Sequence, residues 1–152
     1  MTFHFTLQKI LNLREQETRD AELRVEYTRN IINELKKMIN EERDFYFSDR
    51  EELNKSVQLT QMHKISLFER SLTIRQERIM ELLDNLRTYQ SDLEVYQQAL
   101  IQSKRNQKII ENLRDIKKKE FLEKESIKEQ ARLDEIGAQK FLRNQLQERG
   151  EE

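Results

Sequence analysis

The chain has 152 residues, of which 38% are charged and 36% hydrophobic, and its 28 basic residues nearly balance its 29 acidic ones. It contains no cysteine, no proline and only two glycines, which excludes disulfides and thiolate metal sites and disfavours turns and strands. With about one residue in three apolar, the chain can bury the seam of a two-helix coiled coil but not a thick globular core.

The first predicted element is a helix from about residue 4 to about residue 53. Apolar residues recur there at alternating spacings of three and four, which a helix seam can carry and a strand cannot. In a heptad labelled a to g, the a positions are His4, Leu11, Thr18, Val25, Ile32, Ile39, Tyr46 and Leu53, and the d positions are Leu7, Arg14, Ala21, Thr28, Leu35, Glu42 and Asp49.

A turn is predicted over about 54–61, because this polar stretch has the weakest apolar pattern in the chain. Ser56 or Thr60 is expected to be the N-cap of the second helix.

The second predicted helix extends from about residue 62 to about residue 148 and carries a stronger seam. The stripe ends at Leu100, a polar run follows, and a shifted stripe resumes at Ile109, Leu113 and Ile116. Residues from about 114 to 152 are expected to lack a partner in helix one and to form a marginal helical tail that orders fully only on a partner. The seam's a positions are Ile65, Leu72, Ile79, Leu86, Leu93 and Leu100, and its d positions are Phe68, Arg75, Leu82, Tyr89 and Tyr96.

Together these elements predict an all-α fold, in which two long helices form an antiparallel coiled-coil hairpin and helix two overhangs at the C-terminus. Residues 1–152 are predicted to be a single elongated domain. If the chain folds back near residue 57, facing residues have numbers that add to about 114. The facing pairs would include Tyr46 with Phe68, Ile32 with Leu82, Val25 with Tyr89, Leu35 with Ile79, Thr28 with Leu86 and Ala21 with Leu93.

Charged residues at seam positions give one specific expectation. Glu42 and Arg75 fall in adjacent layers of the hairpin, so they can pair across the seam and penalise slipped registers. The alternative is that both side chains extend outward to solvent.

The sequence offers no candidate for catalysis, metal binding or cofactor binding. His4 and His63 would lie at opposite ends of the hairpin, and no Gly-rich phosphate loop or nucleophile motif is present. The densest basic run, Lys117–Lys119, is followed by three glutamates, which disfavours nucleic-acid binding. No apolar run approaches the roughly 20 residues of a membrane span, and no signal peptide is apparent. Because the sequence contains no catalytic motif, the protein is not expected to be an enzyme.

Aromatic residues concentrate near the turn, at Phe45, Tyr46, Phe47 and Phe68. The seam can bury only part of this cluster, so it is a candidate binding surface. The alternative is local packing against helix two.

The two ends of the chain resemble signatures of the FliJ family, a small coiled-coil component of the bacterial flagellar type III export apparatus. The resemblance is carried by Phe3-x-Phe5-x-Leu7-x-x-Ile10-Leu11-x-Leu13-Arg14, by Glu129-Gln130-x-x-Leu133-Asp134-Glu135-Ile136 and, between them, by Phe68-x-x-x-Leu72 and Lys108-x-x-Glu111-x-Leu113. It implies a stalk similar to the gamma subunit of a rotary ATPase, which inserts into the ring of a FliI-like hexameric export ATPase. It also implies binding to an FlhA-like export gate protein and escort of export chaperones.

The resemblance also implies two sets of partner-binding residues. The gate-side residues are Met38, Phe45, Phe68 and Leu72. The ATPase-side residues are Phe3, Phe5, Leu7, Ile10, Arg14, Ile109, Glu111 and Leu113. A FliJ-like protein is expected to be a cytoplasmic monomer that reaches the inner face of the membrane, at the flagellar basal body, only through its partners.

Two other interpretations stay open at the level of the sequence. One is a stalk protein of a non-flagellar secretion system or of a rotary ATPase. The other is a generic structural coiled coil that dimerises through its own seam.

Overall fold

The fold is a helical hairpin, seen in a computed structural model that describes residues 1–150. Helix α1 covers Gln8–Gln58, helix α2 covers Met62–Gly150, and no strand occurs within residues 1–150. The predicted all-α hairpin of two long, mutually packed helices is therefore confirmed. Helix α1 begins later than the predicted residue 4 and ends later than the predicted residue 53. Glu151 and Glu152, part of the predicted tail, lie outside the described residues.

The turn is shorter and lies later than predicted, at residues 59–61. The Gln61 N–H donates to the Ser56 carbonyl at 3.0 Å and the Thr60 N–H donates to the Val57 carbonyl at 3.2 Å. This pair of bonds is the Schellman motif that ends a helix, and Thr60 takes the left-handed position of the motif with a φ of 53°. Ser56 lies inside α1, and Thr60 occupies the left-handed position of the motif that ends α1. Neither residue is therefore the N-cap of α2. That place is taken by Gln61, whose carbonyl accepts from the Lys64 and Ile65 N–H groups.

The buried face of α1 follows the predicted seam. Among the residues of α1 with the lowest exposure, every one up to Ile39 occupies a predicted a or d position, and the next is Ser56, a later member of the d series. A period of 3.5 residues is therefore sufficient to identify the buried stripe of this helix. The buried positions up to Ile39 are Leu11, Thr18, Val25, Thr28, Ile32, Leu35 and Ile39.

The chain divides into two compact units. The hairpin unit is formed by residues 16–104, and the terminal unit is formed by residues 1–15 with the chain from Arg105 onwards. The core of the hairpin unit is a cluster of Leu35, Ile39 and Leu82. The prediction of one elongated domain stays a prediction. Partly buried side chains that pack against the core are Ile31, Met38, Leu83, Leu86 and Tyr89.

The pairing of the two helices in the hairpin unit differs from the predicted register. Leu82 packs with Leu35 and Ile39 rather than opposite Ile32. Contacting pairs across the hairpin have numbers that add to about 120, as in Asp49 with Ser71 and Arg24 with Tyr96. The predicted value of about 114 was wrong, because α1 continues through the polar stretch and the chain reverses at Thr60.

The stripe of α2 also continues in phase where a shift was predicted. Ser103, Gln107 and Ile110 are partly covered, whereas Ile109 is 63% and Ile116 is 55% exposed. The predicted shifted stripe is therefore wrong at Ile109 and Ile116. Because α2 is unbroken, its heptad phase persists through the polar run, with Ser103 and Gln107 in place of apolar residues.

The unpaired part of α2 begins later than predicted, since the N-terminal segment contacts α2 beyond residue 114. The ring centroids of Phe3 and Phe121 are 5.6 Å apart, and both residues belong to the terminal unit. From residue 126 to residue 150, every residue of α2 is exposed. No helix within residues 1–150 has the length and apolar content needed to cross a membrane.

Candidate functional site

The N-terminal segment of the terminal unit folds onto α2 instead of extending from it. The alternating residues Phe3, Phe5 and Leu7 are partly buried, whereas the residues between them are exposed. The Phe5 carbonyl accepts a hydrogen bond from the Gln8 N–H at 3.1 Å, which joins the segment to the start of α1. The three partly buried side chains therefore form one apolar edge, and Phe3 of this edge packs against Phe121 of α2.

A shallow groove of about 440 Å³ lies between this segment and α2. Lys117, Glu120 and Lys124 line its α2 side, and Lys117 forms an ion pair with Glu120 at 3.4 Å. Because the groove is open and its charges are solvated, its ion pair contributes little to the free energy of folding. Its N-terminal side is lined by Thr2, Phe3, His4, Phe5 and Thr6.

All eight ATPase-side residues lie in the terminal unit. They differ in exposure, because Ile109 is 63% and Ile10 is 39% exposed, while the other six are partly buried. Glu111 accepts a hydrogen bond from the Gln107 side chain at 2.8 Å. Of the eight, Ile109 is thus the apolar side chain most available to a partner.

The gate-side residues all lie in the hairpin unit. Phe45 is 54% exposed, whereas Phe68 and Leu72 are partly buried on the inner face of α2. Met38 packs against the core cluster of Leu35, Ile39 and Leu82. Phe45 is therefore the member of the set that a partner can reach most fully.

Phe45 belongs to a polar cluster that crosses the seam. The Arg75 Nε lies 2.7 Å from the Asp49 Oδ2, and its Nη1 lies 3.2 Å from the Glu42 Oε2. The Ser71 hydroxyl donates to the same Asp49 oxygen at 2.5 Å, and the Arg75 guanidinium carbon lies 4.8 Å from the Phe45 ring centroid. We call Phe45, Glu42, Asp49, Ser71 and Arg75 the arginine cluster. It pairs the predicted Glu42 and Arg75, and it adds Asp49 as the closer partner.

The electrostatics of the arginine cluster favour its charged form. Burial raises the pKa of the Asp49 carboxyl, but the hydrogen bonds from Ser71 and Arg75 outweigh it and hold that pKa below its ordinary value. The hydrogen bond with Asp49 raises the pKa of the Arg75 guanidinium. Asp49 and Arg75 therefore stay ionised near neutral pH, which suits a role in fixing the register and does not suit proton transfer.

The sequence did not identify two members of this cluster, nor the residue of α2 that Phe3 contacts in the terminal unit. Asp49 was identified only as a d position, and Ser71 and Phe121 were assigned no partner. The d-position phase of Asp49 was a usable signal, because a charged residue at a seam position requires a partner across the seam. The partners of Ser71 and Phe121 depend on the true register, which the sequence placed incorrectly.

The described residues show no arrangement for metal chemistry, since residues 1–150 contain no group of three or more His, Asp or Glu side chains that could hold a metal ion. The two histidines lie in different units.

Residues 3–146 match the family described as flagellar FliJ protein. Searches of curated proteins and of solved structures returned no match.

Proposed function

Because this chain belongs to the flagellar FliJ family, we propose that it is the stalk of a flagellar export ATPase and couples that ATPase to the export gate. The family supports a component of flagellar protein export, and it is a structural and export family not known for enzymatic activity. In the proposal the protein has no catalytic role of its own. The flagellar description of the match favours this function over a non-flagellar secretion stalk.

The ATPase end of the proposal rests on one observation, the gathering of all eight ATPase-side residues into the terminal unit. The packing of Phe3 on Phe121 holds the N-terminal segment against α2, so that a ring pore would meet an ordered surface. Exposed Ile109, in the same unit, supplies a further apolar contact.

The gate end of the proposal is supported by the arginine cluster. The ion pairs of Arg75 with Glu42 and Asp49 hold its guanidinium over the Phe45 ring. An exposed aromatic side chain is thereby presented in a fixed orientation. Fixed aromatic side chains lose little conformational entropy on binding, which makes them effective anchors. Chaperone escort and a location at the cytoplasmic face of the membrane complete the proposal, both from the family resemblance.

The ATPase contact can be tested with purified export ATPase. Ile109→Asp places a charge on the proposed contact, and Val95→Asp is a matched control because Val95 is 64% exposed in the hairpin unit. We expect Ile109→Asp to reduce both binding and stimulation of ATP hydrolysis by at least about tenfold, with Val95→Asp close to the unmodified protein. Equal behaviour of the two variants would contradict the proposed ATPase end.

The gate contact can be tested with two neighbouring phenylalanines of similar exposure. Phe45 is 54% and Phe47 is 58% exposed, but only Phe45 contacts Arg75. We expect Phe45→Ala to weaken binding to the cytoplasmic part of the gate protein and Phe47→Ala to leave it unchanged. Loss of gate binding in both variants, or in neither, would reject this surface.

The proposed monomer can be tested by sedimentation of the full chain. A species near the chain mass of 18.6 kDa supports a hairpin that works alone, and a stable dimer supports the generic structural coiled coil.

A further inference from the structure

The side of the hairpin unit away from Phe45 carries a second surface that neither partner set uses. Two adjoining cavities of about 510 Å³ and about 270 Å³ share the Arg43 side chain. Together they form an open groove between α1 and α2, which we call the basic groove. Its lining residues are Lys36, Ile39, Asn40, Arg43, Tyr46, Phe47, Gln76, Ile79, Met80, Leu83 and Leu86.

The basic groove contains positive charge without negative charge. Lys36 and Arg43 are exposed and lie in no ion pair within residues 1–150, and no acidic residue lines either cavity. Positions three and four residues away from each are neutral, and they include Asn40 and Phe47. Arg50, seven residues beyond Arg43, has the same neutral surroundings on α1. The usual i,i+4 pairing of a solvated helix is therefore missing along this line.

Lys37 and Lys55 of α1 show the ordinary arrangement. Lys55 pairs with Glu52 at 3.5 Å, and Lys37 has Glu34 and Glu41 at three and four residues' distance. The basic groove is thus a departure from the pattern of its own helix, in a chain with almost equal numbers of acidic and basic residues.

Apolar side chains accompany these cations. Phe47 is 58% and Met80 is 67% exposed at the mouth of the groove, while Ile39 is buried at its floor. Gln76 donates a hydrogen bond to the Tyr46 hydroxyl at 3.2 Å and so connects the two walls. A ligand for this surface needs an apolar ridge for the floor and carboxylates for the rim.

We propose that the basic groove docks an acidic amphipathic helix of a partner protein, which adds a third helix to the hairpin. Lys36 and Arg43 are seven residues apart, about 10.5 Å along the helix axis at 1.5 Å per residue. A helix lying in the groove has the same heptad repeat, so two of its carboxylates seven residues apart meet both cations. The apolar residues on the same face of that helix pack against Phe47 and Met80.

A helix fits this surface better than a membrane or a nucleic acid does. The apolar floor lies between two helices, which a flat layer of lipid headgroups does not enter. A phosphate backbone would neutralise Lys36 and Arg43, but it would place charged phosphates against the apolar side chains of Phe47 and Met80. The inference goes beyond the proposed export function and does not depend on either partner set of that function.

The test uses a synthetic helical peptide with glutamates at heptad spacing and leucines between them, titrated against the full chain by fluorescence anisotropy. A peptide of the same composition with its glutamates at irregular spacing is the specificity control. We expect the heptad peptide to bind at least about tenfold more tightly than the irregular one, with an affinity that falls as salt rises. Equal binding of the two peptides, or no binding of the heptad peptide, would overturn the proposal.

Variants then locate the binding. Lys36→Glu with Arg43→Glu is expected to weaken the heptad peptide by at least about tenfold, since two attractive charge pairs become repulsive. Lys37→Glu with Lys55→Glu changes the net charge equally on the same helix and is expected to have little effect. Circular dichroism of both double variants checks that the helices are retained. An equal loss in the two would show that only net charge matters, and would reject the groove.

A third arm separates the apolar contribution and the competing ligands. Phe47→Ser is expected to weaken the peptide by about tenfold and Leu23→Ser, at 62% exposure outside the groove, to leave it unchanged. Phosphatidylglycerol vesicles and a DNA duplex serve as anionic competitors. Displacement of the peptide by either at equal charge concentration, or dimerisation of the chain through the groove, would replace the proposed helix with that ligand.

Discussion

The two sides of the hairpin unit use positive charge in different ways. On one side, the side chain of Arg75 is only 28% exposed, and it is held by two carboxylates and an aromatic ring. On the other side, Lys36 and Arg43 are exposed and have no carboxylate partner within residues 1–150. Charge placed in the seam with partners specifies how the helices align, whereas charge placed beside the seam without partners is available to another molecule.

The same contrast applies to the exposed aromatic residues. Phe45 is fixed under Arg75, and Phe47 has only an edge contact with Tyr46, at 5.8 Å between ring centroids. The two phenylalanines thus belong to two different proposed binding surfaces. A single substitution in each can test one surface without changing the other.

The largest effect is expected from the core that both sides share. Leu82 is 5% exposed and packs on Leu35 and Ile39, so Leu82→Ala leaves a cavity in the layer that supports the whole hairpin unit. We expect a loss of about 2–3 kcal/mol in the free energy of unfolding. Urea unfolding followed by circular dichroism measures it, with exposed Leu23→Ala as the control. A loss below about 0.5 kcal/mol would show that Leu82 is not a core residue.

A smaller loss is expected on the side of the arginine cluster. Arg75→Ala leaves Glu42 and Asp49, whose side chains are 22% and 18% exposed, without their cation. Their partial exposure reduces the penalty, so we expect a loss of about 1–2 kcal/mol. A double-mutant cycle with Asp49→Ala or Glu42→Ala isolates each pair. Additive effects in both cycles would contradict a register role for Arg75.

The turn sets the register on which both sides depend. Thr60 is a β-branched residue with a φ of 53°, a conformation that glycine adopts without steric cost. We expect Thr60→Gly to raise the free energy of unfolding by about 0.5–1 kcal/mol. Thr73→Gly, inside the exposed face of α2, is the control and is expected to lower it. Destabilisation by Thr60→Gly would show that its side chain makes a contact that outweighs the strain.

The arginine cluster should also respond to acid. The folded protein holds the pKa of Asp49 below its ordinary value, so its contribution to stability is fully present above a pH of about 4. That contribution is lost as the pH falls through the lower pKa of the folded state. We expect the stability difference between the unmodified protein and Asp49→Asn to be largest near neutral pH and to shrink below pH of about 4. A difference that stays constant down to strongly acidic pH would exclude a charge-based contribution.

The seam of α1 could be predicted from the sequence, because the spacing of residues such as Val25, Ile32 and Ile39 carries the helical period directly. The register could not, because the chain reverses at a threonine in a left-handed conformation and no glycine or proline marks the turn. The in-phase continuation of α2 through Ser103 and Gln107 could not be recognised either, since polar seam residues do not differ in type from surface residues. Apolar periodicity identifies a face, but it does not identify the partner of that face.

The smallest effect is expected from the basic groove, and it completes the contrast with Arg75. Lys36→Gln with Arg43→Gln removes two charges that have no partner within residues 1–150, so we expect the free energy of unfolding to change by less than about 0.5 kcal/mol. Urea unfolding of this variant beside Arg75→Ala measures both sides in one experiment. A loss as large as that of Arg75→Ala would mean that the groove cations stabilise the hairpin itself, and a free groove for an acidic helix would then be rejected. If the free energy of unfolding does not change and binding of the acidic peptide is lost, the two side chains serve binding alone.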